Sequence, residues 1–348
     1  MNPPKFVDVG MSFPLSYNVS AEKAIGITTT IPIEIVYAAG YVPIDLNNIF
    51  ICNRDPDAIV DYAELRSLPR NTCSWIKGLY TSTIKSGIRR IIGVIQGDCS
   101  NNHALIEFLQ SEGIETIPFS YPHDRERGFL NHQLGLLAER LGVDLEKAHK
   151  MKCVLDKVRK TVHEIDRLTW EDDKVTGEEN HIWNVSTSDL MGDYLLFNTK
   201  ALAFREEAIN RPKLDYDIRL GYIGVPPICS DLYSFLSKLR VHVVFNEVQR
   251  QFSMPYHTDT LTEQYARYTY PYDIFYQIKD IKREIGQRKI DGIIHYVQSF
   301  CHRQIYDRLI RKHIDIPILT LDCDRPGKLS GSMRTRIEAF TEMLNNIK

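Results

Sequence analysis

Along the chain, short apolar runs alternate with segments in which apolar residues recur every three or four positions, a pattern that predicts strands and helices in turn. Residues 291–322 (DGIIHYVQSFCHRQIYDRLIRKHIDIPILTLD) show it most clearly. A buried strand is predicted at 293–297, a helix at 302–312 and a second apolar strand at 316–321. Cys301 follows the first strand and Cys323 the second. Strands joined through a helix run parallel, because a parallel pair needs a crossover connection. Two further stretches repeat the pattern. IIGVIQGDCS (91–100) delivers Cys99 to a strand end, with Gly97 loosening the turn. A helix at 102–110 and a strand at 114–117 follow, and Pro118 is expected to stop that strand. The strand predicted at 217–225 runs into PPICSD, which puts Cys229 and Ser230 at a sheet edge; a helix at 232–239 and a strand at 241–245 come next.

Elsewhere a short helix is expected at 32–40, closed by glycine, and a strand at 41–46 with Pro43 marking an edge position. A helix at 61–68 ends at Pro69. Cys73 then precedes Ile76, Leu79, Tyr80 and Ile84 at helical spacing, so its thiol lies near a helix amino terminus, where dipole and free amides favour thiolate. From 131 to 211 the spacing is helical (Leu134, Leu137, Leu141; Val154, Val158, Val162; Leu190, Leu195, Leu196, Leu202), broken by the charged TWEDDKVTGEEN and resumed at the Ser-Asp caps near 188. A helix at 334–344 closes the pattern.

The fold class expected is therefore α/β: two Rossmann-like domains with parallel sheets, 1–130 and 216–348, joined by a helical connector at 131–215. Ligands of such sheets bind outside the carboxyl ends of the strands, where Cys99, Cys229, Cys301 and Cys323 fall. The competing reading is that these are small hydrophobes seeking burial. The loop YPHDRER (121–127) offers His123, Arg125 and Arg127 to an anionic ligand or simply to solvent. Tyr256, Tyr265, Tyr268, Tyr270 and Tyr272 suit either a pocket wall or packing with wet hydroxyls.

Composition narrows this further. The 348 residues suffice for two domains, and 43% hydrophobic with 25% charged is ordinary for a soluble globular chain. A net charge of -2 gives no general attraction to nucleic acid or to an anionic membrane. No run reaches the roughly 18 apolar residues that span a bilayer, and MNPPKFVDVG lacks the features of a signal peptide. A cytoplasmic location is expected, with the seven cysteines as thiols or metal ligands. No GxxxxGK[ST] or GxGxxG motif offers a seat for ATP or a dinucleotide, and no local Cys/His spacing suggests zinc.

The segments RNTCSWIKGLY, GVIQGDCSNNHALIEFL and DGIIHYVQSFCHRQIYDRLI, with the closing DCDRPGKLSGSMRTRIEAFTEML, resemble the 2-hydroxyacyl-CoA dehydratase family, which also contains benzoyl-CoA reductase subunits and double-cubane-cluster reductases. The resemblance implies a [4Fe-4S] cluster between the domains, held by Cys73, Cys99 and Cys301. Thiolates are the ligands such clusters require, and three of them leave one iron open as a Lewis acid. GITTTIPIEI and YTYPYDIF lack cysteines that double-cubane members carry, so a single cube is expected. Cys323 and Cys229 stand as a fourth ligand or as neighbours, and Cys52 and Cys153 as structural.

The activity implied is radical elimination of water from a 2-hydroxyacyl-CoA through a ketyl, with electrons from a separate ATP-dependent iron-sulfur activator. The partner implied is a homologous second subunit or a second copy, forming a dimer. Ser230, His302 and Arg303 are candidates to position substrate or move a proton. Three alternatives stand beside this: a benzoyl-CoA reductase-like or other low-potential reductase subunit, a cluster-bearing electron-transfer subunit whose partner holds the substrate, and a metal-free bilobal small-molecule binding protein.

Overall fold

The computed structural model describes Tyr17 and residues 19–347. These residues form two four-stranded sheets, every pairing of which is parallel. The first contains β1 (Ala24–Ile27), β2 (Val42–Asp45), β3 (Arg90–Gln96) and β4 (Glu115–Ser120), in the order β2-β1-β3-β4. The second contains β5 (Ile218–Gly224), β6 (Val241–Asn246), β7 (Gly292–Gln298) and β8 (Ile318–Cys323), in the order β6-β5-β7-β8. The α/β class with two Rossmann-like sheets is as expected. Both are wound alike, and each reverses direction between its first and third strands, the position at whose carboxyl edge sheets of this kind bind ligands.

The strands form where apolar runs can be covered on both faces, and β6 and β7 are buried along their whole lengths. Two features of the first sheet depart from the sequence expectation. β1 was not anticipated, because AIGI is a four-residue run too short to show a period, yet it lies inside the first sheet. Pro118 does not stop β4. It sits within the strand opposite Gly93, which is permitted because β4 is an edge strand whose outer side needs no ladder donor.

The chain divides into two compact units, each assembled from separate stretches. One comprises the chain up to Arg159 with Ser186–Asn198 and Tyr256–Asp273; the other comprises Lys160–Val185, Thr199–Pro255 and the chain from Ile274. The stretch 131–215 is thus shared out between the units. The helix Leu145–Trp170 shows why, since its buried charges have partners in each. Arg159 pairs with the buried Glu34 at 2.6 Å in the first unit, whereas Asp166 pairs with Arg288 at 2.6 Å in the second.

The tyrosine-rich stretch packs into the first unit. Tyr265 donates to Glu34 Oε2 at 2.7 Å and Tyr272 to Tyr265 O at 2.9 Å, and the rings of Tyr265, Tyr268 and Tyr272 gather round Tyr121. The basic loop is engaged by the same stretch: Arg125 donates to Ala266 O at 2.8 Å and Arg127 to Glu263 at 2.9 Å. The Ser-Asp caps near 188 form two short 3-10 turns instead of opening one helix. Asp189 there accepts from the Tyr17 hydroxyl at 2.5 Å and the Asp45 amide at 2.8 Å, while Ser188 donates to Asp45 at 2.6 Å. No helix among the described residues is long and apolar enough to cross a membrane.

Candidate functional site

At the carboxyl edge of the second sheet, each strand delivers a chemically distinctive residue. At the end of β5, Gly224 turns the chain at φ +95°, and a Cβ there would lie 2.1 Å from Tyr296 O, so only glycine fits. The turn leads to Cys229 and Ser230. Cys229 bridges to Gly327 in parallel register, and Ser230 donates to Gly327 O through both its amide (2.8 Å) and its hydroxyl (3.2 Å). Asp231 accepts from the Leu329 amide at 2.7 Å and pairs with Arg334. The loop after β5 is thereby fastened to the loop after β8.

That fastening brings Cys229 and Cys323 together, with 3.3 Å between sulfurs. Cys229 is buried and Cys323 half-buried. The hydrogen bond from Cys229 holds the Cys323 thiol down to about 7, while the same bond and burial push Cys229 up. In its protonated form Cys323 donates to Arg325 O at 3.4 Å.

Cys301 lies three positions beyond β7, as Cys99 lies three beyond β3, and both strands are third in their sheets. Each turn contains a left-handed residue, Gly97 at φ +98° and Phe300 at φ +64°. In a bulky residue such as Phe300 this conformation stores about 1–3 kcal/mol, and such strain collects at functional positions. A Cβ on Gly97 would come within 2.9 Å of Tyr121 and Pro271. Cys301 caps the 3-10 turn His302–Ile305. The helix that follows, Tyr306–His313, is tied to β7 and β8 through Asp307, which receives His295 Nδ1 at 2.7 Å and the Thr320 hydroxyl. His302 is exposed, edge-on to Tyr306, with its pKa lowered by desolvation and by Arg303.

After β6 stands Glu247, which the sequence reading missed. It is buried, and burial raises its pKa to about 7 against a hydrogen bond from Gln277 and the charge of Arg303. Gln298, at the end of β7, is also buried; its Nε2 donates to Asp324 O at 2.6 Å and its Oε1 is unpartnered. The signal for both was their position, a polar residue at the carboxyl end of a wholly buried strand.

In the first unit, Cys73 caps the helix Ser74–Ser86 and Cys99 the helix Ser100–Ser111. Both belong to one apolar cluster that includes Ile76, Leu79, Tyr80 and Leu105. Asn102 reaches back to Val94 O at 2.8 Å and Thr28 Oγ1 at 3.2 Å, which fixes the start of the Cys99 helix against β1 and β3. None of the seven cysteines is in a disulfide. Cys52 is half-buried, its pKa pushed up to about 12 by burial, Asp189 and Asp45; Cys153, expected to be structural, is exposed on its helix. Among the described residues no three His, Cys, Asp or Glu side chains gather as a single metal ion would require.

A family model described as 2-hydroxyglutaryl-CoA dehydratase, D-component, matches residues 28–344. No curated protein matches the chain.

Proposed function

Because the chain belongs to the 2-hydroxyglutaryl-CoA dehydratase D-component family, we propose that it is the iron-sulfur component of a 2-hydroxyacyl-CoA dehydratase, with Cys73, Cys99 and Cys301 as ligands of one [4Fe-4S] cluster. The observation that carries this reading is local. Each of the three thiols stands at the cap of a helical segment, and Cys99 and Cys301, both on an extended backbone, occupy equivalent positions in two sheets of the same winding. The donor set fits the group, since such clusters take thiolates. When bound, the cluster supplies one electron and an iron with no protein ligand, the chemistry that loosens a hydroxyl next to a thioester carbonyl.

The protein's own residues supply the rest. Glu247, with a pKa of about 7, exchanges a proton near neutral pH and so suits removal of a β-proton or protonation of the departing hydroxyl at Oε1 or Oε2. Gln298 Oε1 offers a second buried acceptor. Ser230 is held by Gly327 as a positioning group, and exposed His302 lies at the mouth of the same edge. Neither has a buried partner that would tune it for proton transfer, so Glu247 takes that role. The electron source is a separate ATP-dependent iron-sulfur activator, and a homologous subunit or second copy completes the enzyme.

The substrate class is tested on anaerobically purified protein by adding a 2-hydroxyacyl-CoA, the free 2-hydroxy acid or CoA and recording the visible spectrum. The thioester alone is expected to change the cluster absorption. A full cluster indifferent to every 2-hydroxyacyl-CoA would overturn the substrate reading.

A further inference from the structure

The pair Cys229 and Cys323 has no place in the chemistry above, and its geometry asks for one. The sulfurs sit 3.3 Å apart although the residues are 94 positions apart in the chain. A disulfide bond of about 2.05 Å asks them to close by little more than 1 Å. Their backbones are already in register, through the bridge from Cys229 to Gly327, both bonds from Ser230 to Gly327 O, and the Asp231 contacts with Leu329 and Arg334. Little chain order remains to be lost when the bond forms.

The two thiols are also unequal. Cys323 is half-buried and within reach of a small molecule, whereas Cys229 is enclosed behind it. Cys229 donates its S–H to Cys323, which favours thiolate at the exposed position, in keeping with the lowered pKa of Cys323. A reachable thiolate touching a resolving thiol is the arrangement that peroxides oxidise selectively.

We propose that Cys229 and Cys323 form a dithiol that a hydroperoxide oxidises reversibly to a disulfide, with Cys323 attacking and Cys229 resolving. The Cys323 thiolate takes one oxygen from hydrogen peroxide. The O–O bond breaks, a sulfenic acid forms and hydroxide leaves, to be protonated to water. Cys229 then gives up its proton, its sulfur displaces hydroxide from the sulfenic sulfur, and these two combine as the second water. Two thiols lose two electrons in all, and the peroxide is reduced to two waters. The bond ties the Ser230 loop to the loop after β8. This inference rests on the second unit's own geometry and does not depend on the cluster assignment.

The test is peptide mapping of the full-length protein after limiting hydrogen peroxide, with remaining thiols alkylated before trypsin. The expected product joins peptide 220–238 to peptide 313–328 and disappears on treatment with dithiothreitol. In C229S, Cys323 is expected to stop at a sulfenic acid that dimedone traps, and in C323S the Cys229 thiol is expected to stay reduced. A disulfide linking either cysteine to Cys301, irreversible sulfinic acid at Cys323 without the cross-link, or no oxidation of the pair while exposed Cys153 reacts would each overturn the proposal.

Discussion

Burying a carboxylate favours its protonated form, and Glu247, wholly buried, is such a group. Its folded pKa, about 7, lies above the unfolded value near 4.3. The stability tied to its proton is therefore complete below about pH 4 and is lost as pH rises toward 7. Glu247→Gln keeps the shape and removes the charge. Thermal melts are expected to show the variant more stable than the parent at about pH 8, by on the order of 3 kcal/mol, with no difference near pH 4. Dehydration activity is expected to fall together with this gain. Equal pH dependence in parent and variant would remove Glu247 from the account. Asp189, raised to about 7 by burial and by Asp45, leaves a residual slope in the same window. Gly97 makes a second residue-scale case. Alanine there combines a φ of +98° with a Cβ 2.9 Å from Tyr121 and Pro271, so Gly97→Ala is expected to lower stability by about 1–3 kcal/mol in denaturant melts.

Most elements were legible because their apolar runs or spacings were long enough to show a period. β3, β5, β6 and β7 fell close to where the pattern put them, as did the helices after Cys73 and Cys99. β1 was hidden by its length, and Pro118 misled because nothing in the sequence marks β4 as an edge. The helix Ile274–Arg288 was obscured by the tyrosines before it, although Ile274, Ile278 and Ile281 recur at helical spacing. That helix carries the charge network holding the end of β6. Arg288 reaches Asp166 with two nitrogens at 2.9 and 2.6 Å, Glu284 at 2.7 Å and Val244 O at 2.7 Å, and Arg250 joins Asp280 at 3.0 Å and Glu284 at 3.1 Å. Removing one member strands buried charges, so Arg288→Ala is expected to cost about 3–5 kcal/mol in chemical denaturation. A loss below about 1 kcal/mol would show that the network is not buried as described.

For the molecule as a whole, the sequence pattern conveyed two similar α/β sheets. Contiguity was the natural assumption, and no local pattern reveals that 256–273 packs with the first unit while 160–185 packs with the second. The placing of Cys99 and Cys301 just beyond strands was legible, because it is a local feature; the buried Glu247 and the contact of Cys229 with Cys323 depend on tertiary packing. Glu34, Asp166 and Glu284 resist protonation: burial opposes their charge, but Arg159, Arg250 and Arg288 outweigh it and lower each pKa. Their stabilisation is present above the unfolded carboxylate range and is lost as pH falls through the lowered folded values. Acid unfolding is thus expected below about pH 4, in a window separate from that of Glu247. Glu247→Gln should leave that acid limb unchanged.

The assignment of Cys73, Cys99 and Cys301 as cluster ligands is tested most directly by iron and acid-labile sulfide per chain after anaerobic purification, in the parent and in C301S. The account predicts about four of each in the parent, for one cube per chain, and loss of the cluster in folded C301S. A folded parent without iron, or a C301S variant with its full complement, would contradict it.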